Sequence, residues 1–372
     1  MTPLLSNTFE LFSLFSLLHF IRSSHAGPLS THHVPSFTVH EIQSGAKDNE
    51  LKSILTSTGL FAIRVPTDTN SNSNDNNING KKSNNNLLQR LCECQPQDFV
   101  NIPNGDSRIL ADGLTTRSTI PTAMAPDMFP LSLPKTEITN YCGEGVYDAL
   151  EQTRDYVSNA SLDTFIPALD RLIQNARGED EMEEKDADDE QRNALLSVVN
   201  SEEKYTTISS IVKDANHLEH FHLYSKKEEE TVSFSDHQHH EPNVIDGALD
   251  WHTDGGLFLA FIPGTSCASS NSSQEADESF RIAFRNNENM LSSSSFSSTE
   301  MKVAFPKSGE NEIVVAIMLG AGSEHWLDTP KSLKLRATQH AVKMRGGDVR
   351  SWYGMSKFLK SSSSIFGLTP QF

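Results

Sequence analysis

The sequence predicts a mainly β protein with flanking helices, of the α+β class, built on a sandwich or jelly-roll core. Two textures carry this reading: helical spacing dominates between residues 146 and 173, and short β-type runs separated by turns dominate from about Tyr205 onward. A third observation is the lack of strand–helix alternation in that second half, which favours a sandwich or jelly roll over an alternating α/β sheet. With 372 residues, 36% of them hydrophobic, the chain can bury a core, but much of its length must lie outside it.

The first 26 residues read as a secretory signal peptide, with a retained anchor as the weaker alternative. A mainly apolar stretch from Leu11 to Ile21 ends at Ser24-His25-Ala26, with small residues at the −3 and −1 positions of a cleavage site, and it is too short to span a bilayer as a stable helix. The mature chain is therefore expected to be soluble, lumenal or extracellular. The four cysteines, Cys92, Cys94, Cys142 and Cys267, suit one or two disulfides in such a compartment, with the pairing open. Cys92 and Cys94 lack a second pair and do not fit a zinc knuckle. Two sequons, at Asn159 and Asn271, agree with a secreted chain.

An N-terminal α/β region is expected over residues 27–204. Phe37-Thr-Val-His-Glu-Ile42 alternates like a strand, Leu51, Ile54 and Leu55 form one helical face, and Gly59 closes that helix before the apolar strand Leu60–Val65. Residues 70–86 are almost wholly Asn, Ser, Asp, Gly and Lys, an insert that cannot bury enough apolar surface to order itself. Ala149, Leu150, Tyr156 and Val157, then Phe165, Leu169, Leu172 and Ile173, keep helical spacing on either side of a break expected at Pro167. Gly178–Glu190 holds nine carboxylates against one lysine and supplies nearly half of the formal charge of −18. Such a run repels itself, so residues 178–192 read as a solvated insert rather than a docking surface.

The β half, residues 205–360, contains runs at Glu219–Tyr224, Gly256–Ile262, Met301–Phe305, Glu312–Met318 and Leu333–Val342, with a Ser- and Asn-rich insert over 266–299. No basic stripe is present to neutralise phosphates, which argues against nucleic acid as a partner. No membrane association is expected after signal cleavage, and a monomer acting on a small molecule or peptide is the expected state.

The chemistry is concentrated in Asp250-Trp-His252-Thr-Asp254-Gly-Gly256, just before an apolar strand. Side chains two apart on an extended segment project to one face, so His252 and Asp254 can reach one ion. His340, in Arg336-Ala-Thr-Gln-His-Ala-Val342, is the candidate for a third ligand from a distant strand, completing a two-His-one-carboxylate triad that leaves three positions on Fe(II) open. The histidines at 237, 239 and 240 sit in a polar segment and read as a solvated loop, whereas His222 shares a strand face with His220 and Tyr224 and can face the pocket. His325 and Trp326 read as shaping the turn after Gly320-Ala-Gly322.

At these residues the chain resembles the 2-oxoglutarate/Fe(II)-dependent oxygenases of the isopenicillin N synthase-like type. The resemblance rests on the His-x-Asp pair, the distal His in an Ala-Thr-x-His-x-Val strand, the stretch Leu51–Val65, and Ile313–Trp326. It implies a double-stranded β-helix, iron held by His252, Asp254 and His340, and 2-oxoglutarate and O₂ as co-substrates. It also implies that Arg350, ten residues after His340, grips the far carboxylate of 2-oxoglutarate, with Tyr224 hydrogen-bonding the same molecule. Where the family has a serine two residues after that arginine, this chain has Trp352, and its His252–His340 gap is lengthened by the Ser/Asn-rich insert. The expected activity is oxidation of an unidentified substrate with release of succinate and CO₂. The competing expectation is a catalytically inactive, secreted jelly-roll binding module that keeps the metal site.

Overall fold

The computed structural model describes residues 29–67, 87–94, 96–124, 135–181, 194–197, 204–215, 217–228, 247–267, 279–285, 298–309 and 311–357. The expected signal peptide, the insert at 70–86, the histidines at 237–240, the sequon at Asn271 and the tail after Lys357 lie outside the described residues. Among the described residues no helix is long and apolar enough to cross a membrane.

The described residues from Thr31 onward form one unit. Its strands are β1 (Thr31–His33), β2 (Ser36–Thr38), β3 (Leu60–Pro66), β4 (Asp106–Ile109) and β5 (Thr115–Met124). Then come β6 (Leu196–Ser197), β7 (Lys204–Tyr205), β8 (His217–Lys226), β9 (Gly247–His252) and β10 (Phe258–Ser266). The last five are β11 (Phe280–Arg285), β12 (Ser298–Ala304), β13 (Glu312–Leu319), β14 (Gln339–Lys343) and β15 (Val349–Lys357). Two large sheets result: five strands in the order β1-β12-β11-β14-β9, and eight in the order β2-β3-β13-β10-β15-β8-β5-β4. Strands from both sides of residue 205 share the larger sheet, since β3 pairs with β13 and β5 with β8.

The larger sheet is buried on both faces, which explains why its central strands are continuously apolar. In β13, Val315, Ile317 and Leu319 join one core with the helices, while Val314, Ala316 and Met318 join a second core with residues of the smaller sheet. The same division runs through β3, with Phe61, Ile63 and Val65 against Leu60 and Ala62, and through β10, with Phe258, Ala260 and Ile262 against Leu259 and Phe261. Burying each large apolar side chain contributes about 1.5–3 kcal/mol, so this two-sided stack is the main source of stability.

The helical side is built from α1 (Val39–Gln43), α2 (Asp48–Ser57), α3 (Leu87–Leu91), α4 (Lys135–Cys142), α5 (Val146–Ser158) and α6 (Ile166–Glu181). The alternation at Phe37–Ile42 misleads: the strand stops at Thr38 and α1 begins. Thr38 and Glu41 form a capping box, each side chain accepting the other's backbone N–H at 3.2 and 2.8 Å, and two satisfied amides outweigh a short alternating pattern. Gly59 ends α2 at φ +67°, where a Cβ would also overlap the Arg336 carbonyl.

The break expected at Pro167 falls before it, in a π-helical segment, Asn159–Phe165, that joins α5 to α6. The widened turn accommodates a ring that would clash with a regular preceding turn. This segment also holds the first sequon, but Asn159 Oδ1 is buried and the Ser161 hydroxyl, fully buried, donates to the Val157 carbonyl at 2.7 Å. The sequon at Asn159 is therefore not an exposed acceptor loop and lends no support to secretion.

Three further expectations change. Gly178–Glu181 belong to α6 rather than to an insert, and the remainder of the acidic run lies outside the described residues. The supposed insert at 266–299 contains β11, paired with β14. The run Leu333–Val342 is a strand only from Gln339, because the preceding groups are used elsewhere: Arg336 N–H donates to Leu55, and Thr338 Oγ1 to Thr58. The cysteines form two disulfides, Cys92–Cys267 and Cys94–Cys142.

Candidate active site

β9 and β14 lie side by side, and their register sets His252 directly opposite His340, ring centroids 4.2 Å apart. Asp254 follows two residues after the end of β9, in a loop fixed by the Ala321 N–H donating to the Asp254 carbonyl at 2.7 Å. One ligand atom from each of His252, Asp254 and His340 lies within 4.8 Å of the other two. The structure thus brings all three sequence-predicted ligands together.

The donor chemistry suits a cation. His252 Nδ1 is 2.7 Å from the Asp250 carbonyl and His340 Nδ1 is 3.3 Å from the Thr338 carbonyl, contacts that place the ring proton on Nδ1 and leave each Nε2 as an acceptor. Asp254 Oδ2 is buried with no hydrogen-bond partner. A buried carboxylate oxygen with no donor is costly unless something positive meets it. Burial lowers the pKa of His340, opposed by the nearby Asp254 charge and reinforced by His252, so the ring is neutral and ligand-competent at neutral pH.

The inner face of the larger sheet carries alternate residues of β5, β8 and β15. His220, His222 and Tyr224 of β8 share it, as their spacing predicts. Burial pushes the His220 ring down to about 4 against the opposing pull of Asp254, a coupling that ties this face to the ligand cluster. The His222 ring is pushed well below its usual range, again chiefly by burial. His222 Nδ1 meets Thr119 Oγ1 at 2.8 Å, and its ring stacks on Trp352 with centroids 5.0 Å apart.

Arg350, 5% exposed, stands opposite Tyr224 in the β15–β8 register, its guanidinium carbon 6.0 Å from the Tyr224 ring centroid. Gly264 of β10 makes room for it, since a Cβ there would overlap the guanidinium. Trp352, two residues after Arg350, provides an indole lying against His222 and over Gly354.

Sequence reasoning passed over Arg117, which pairs with Tyr224 from the other side in the β5–β8 register. Its signal was available: Asp112-Gly113 is a turn dipeptide, followed by the β-branched run Thr115-Thr-Arg-Ser-Thr-Ile120. Behind this face, Arg154 makes a two-pronged ion pair with Glu219 at 3.0 and 2.6 Å, and the Tyr353 hydroxyl donates to Glu219 at 2.8 Å. All three are buried, anchoring the outer sides of β8 and β15.

No family model and no curated protein matches the chain. Solved structures do. The dioxygenase for auxin oxidation 1 of Arabidopsis thaliana, solved with 2-oxoglutarate, is similar at 12% identity and a TM-score of 0.48 over 89% of this chain and 97% of that one. The rice dioxygenase for auxin oxidation is similar at 11% identity and a TM-score of 0.43, over 89% of this chain and 85% of that one. JOX2, solved with 2-oxoglutarate, Fe and JA, is similar at 10% identity and a TM-score of 0.46, over 91% of this chain and 79% of that one. What the chain does has to be read from its own side chains.

Proposed function

We propose that this protein is a non-haem Fe(II)- and 2-oxoglutarate-dependent oxygenase, oxidising an as yet unidentified substrate with release of succinate and CO₂. The observation that carries the proposal is the convergence of His252, Asp254 and His340, with both imidazoles tied through Nδ1 and one carboxylate oxygen buried without a partner. Two histidines and one carboxylate on one side of an ion are the donor set for Fe(II) with adjacent open positions. When bound, iron and 2-oxoglutarate supply the oxidising power: O₂ gives one oxygen atom to succinate and the other to a substrate C–H bond.

The chain's own part is binding, orientation and exclusion of water. His252 and Asp254 hold the ion from the end of β9, and His340 completes the grip from the neighbouring strand. Arg350 binds the far carboxylate of 2-oxoglutarate from the opposite sheet, with a planar guanidinium suited to a two-pronged, charge-assisted contact. Tyr224 hydrogen-bonds the same co-substrate. Burial keeps its phenol protonated at neutral pH. Trp352 closes the space beside it with an apolar ring. The two disulfides support the accompanying proposal that the chain works in an oxidising, secretory compartment.

The test is anaerobic titration with Fe(II) and then 2-oxoglutarate. A saturable visible charge-transfer band, followed on admitting O₂ by succinate formation, is the expected result. Retained Fe(II) without any response to 2-oxoglutarate contradicts the proposal and leaves the non-catalytic binding module.

A further inference from the structure

Four strands of the larger sheet bring one residue each into a single register row: Arg108 of β4 opposite Arg117 of β5, Arg117 opposite Tyr224 of β8, and Tyr224 opposite Arg350 of β15. Arg108 is neutralised on its own strand, with Asp106 Oδ2 2.7 Å from its Nε. Arg117 has no such partner. No described carboxylate is paired with it, and its Nε is buried without a hydrogen bond. Among the described residues, its side chain hydrogen-bonds Tyr224.

A guanidinium turned inward with an unused N–H is costly in a low-dielectric site unless an anion meets it. Arg117 and Arg350 flank Tyr224 one strand to either side, so the two outer strands are only about 10 Å apart and both arginines can reach an anion seated over the phenol. Arg117 also satisfies the phenol oxygen, freeing the Tyr224 O–H to donate to that anion. The position two residues after Arg350 contributes an indole, not a hydroxyl, to this side of the site.

We infer that Arg117 is the second arm of a two-arginine clamp on the far carboxylate of 2-oxoglutarate, supplying from β5 the donor that Trp352 does not supply from β15. This rests on the oxygenase reading above, because it names the same co-substrate. Arg117 is a binding residue in this account: its N–H groups contact the co-substrate, and Tyr224 is held between it and Arg350.

The test compares dissociation constants for 2-oxoglutarate and for pyruvate, measured anaerobically on the Fe(II)-loaded chain. Pyruvate keeps the 2-oxo acid end that faces the metal but lacks the far carboxylate. R117Q is expected to weaken 2-oxoglutarate by about tenfold or more and R117K to restore part of the loss, while the pyruvate constant stays within about twofold in both. A structural role for Arg117 would instead weaken both ligands alike, and that result overturns the clamp. So does an unchanged 2-oxoglutarate constant in R117Q alongside a large loss in R350Q, an outcome that leaves the oxygenase reading standing. If the unaltered chain binds Fe(II) but no 2-oxoglutarate, the oxygenase reading falls, and the clamp with it.

Discussion

The two walls of the site are built by different means. On the smaller sheet, the ligand cluster depends on one register match, His252 opposite His340, plus a loop residue two positions on. On the larger sheet, Arg117, Tyr224 and Arg350 form a row across three neighbouring strands whose outer faces are locked into the helical core. The proposed metal wall is thus a local constellation and the proposed anion wall a property of a whole sheet. Changes at the first should abolish one function and spare the fold, and changes behind the second should spread into stability.

The largest expected effect is at Asp254. D254A removes the only carboxylate of the cluster, and Fe(II) affinity should fall by more than the roughly 10- to 100-fold typical of losing a mere outer-shell partner, with thermal stability of the metal-free chain unchanged. Retained affinity in that variant would break the contrast between the walls. Next comes E219Q, which leaves Arg154 buried without its counter-charge behind β8 and should cost about 3–5 kcal/mol in a denaturant titration. Its metal affinity, measured below the unfolding transition, should stay near that of the unaltered chain.

G264A tests the anion wall from within. The added methyl meets the Arg350 guanidinium, so 2-oxoglutarate binding should weaken by about tenfold while Fe(II) binding is unchanged. Equal binding in G264A would show that Arg350 is not held where the co-substrate needs it. The smallest effect is in pH dependence. The His222 ring, whose folded pKa lies well below its ordinary 6.5, is neutral in the fold and protonates in the unfolded chain. Below pH 6.5 the unfolded state therefore binds the extra proton, and stability is lost as pH falls, at up to about 1.4 kcal/mol per pH unit. H222Q should flatten the fall in Tm between pH 6.5 and 5, and an unchanged slope would assign that acid sensitivity elsewhere.

The same contrast explains what could be read from the sequence. Central strands such as β13 and β10 announce themselves because both faces are buried, and the candidate ligands were legible as a His-x-Asp pair, although Asp254 lies in the loop after β9 and not on the extended strand that period-two spacing assumes. Register is different: nothing in the residues around His340 says that it pairs with His252 rather than with a neighbour. β11 was hidden because Phe280-Arg-Ile-Ala-Phe284 is short and flanked by Ser- and Asn-rich sequence. β5 was hidden because both of its faces are polar, with Thr115, Arg117 and Thr119 on the side of Tyr224 and Thr116, Ser118 and Thr122 beside Ile120 on the other, so no apolar alternation reveals the strand. At α1 the capping residues Thr38 and Glu41 were legible, but the alternating pattern masked them.

The most direct measurement of the central claim is Fe(II) stoichiometry by anaerobic equilibrium dialysis, on the unaltered chain and on H252A, D254A and H340A. One ion per chain, lost in each of the three variants while their circular dichroism is unchanged, is the predicted result. Full binding in any one of them would show that His252, Asp254 and His340 do not act as a single metal site.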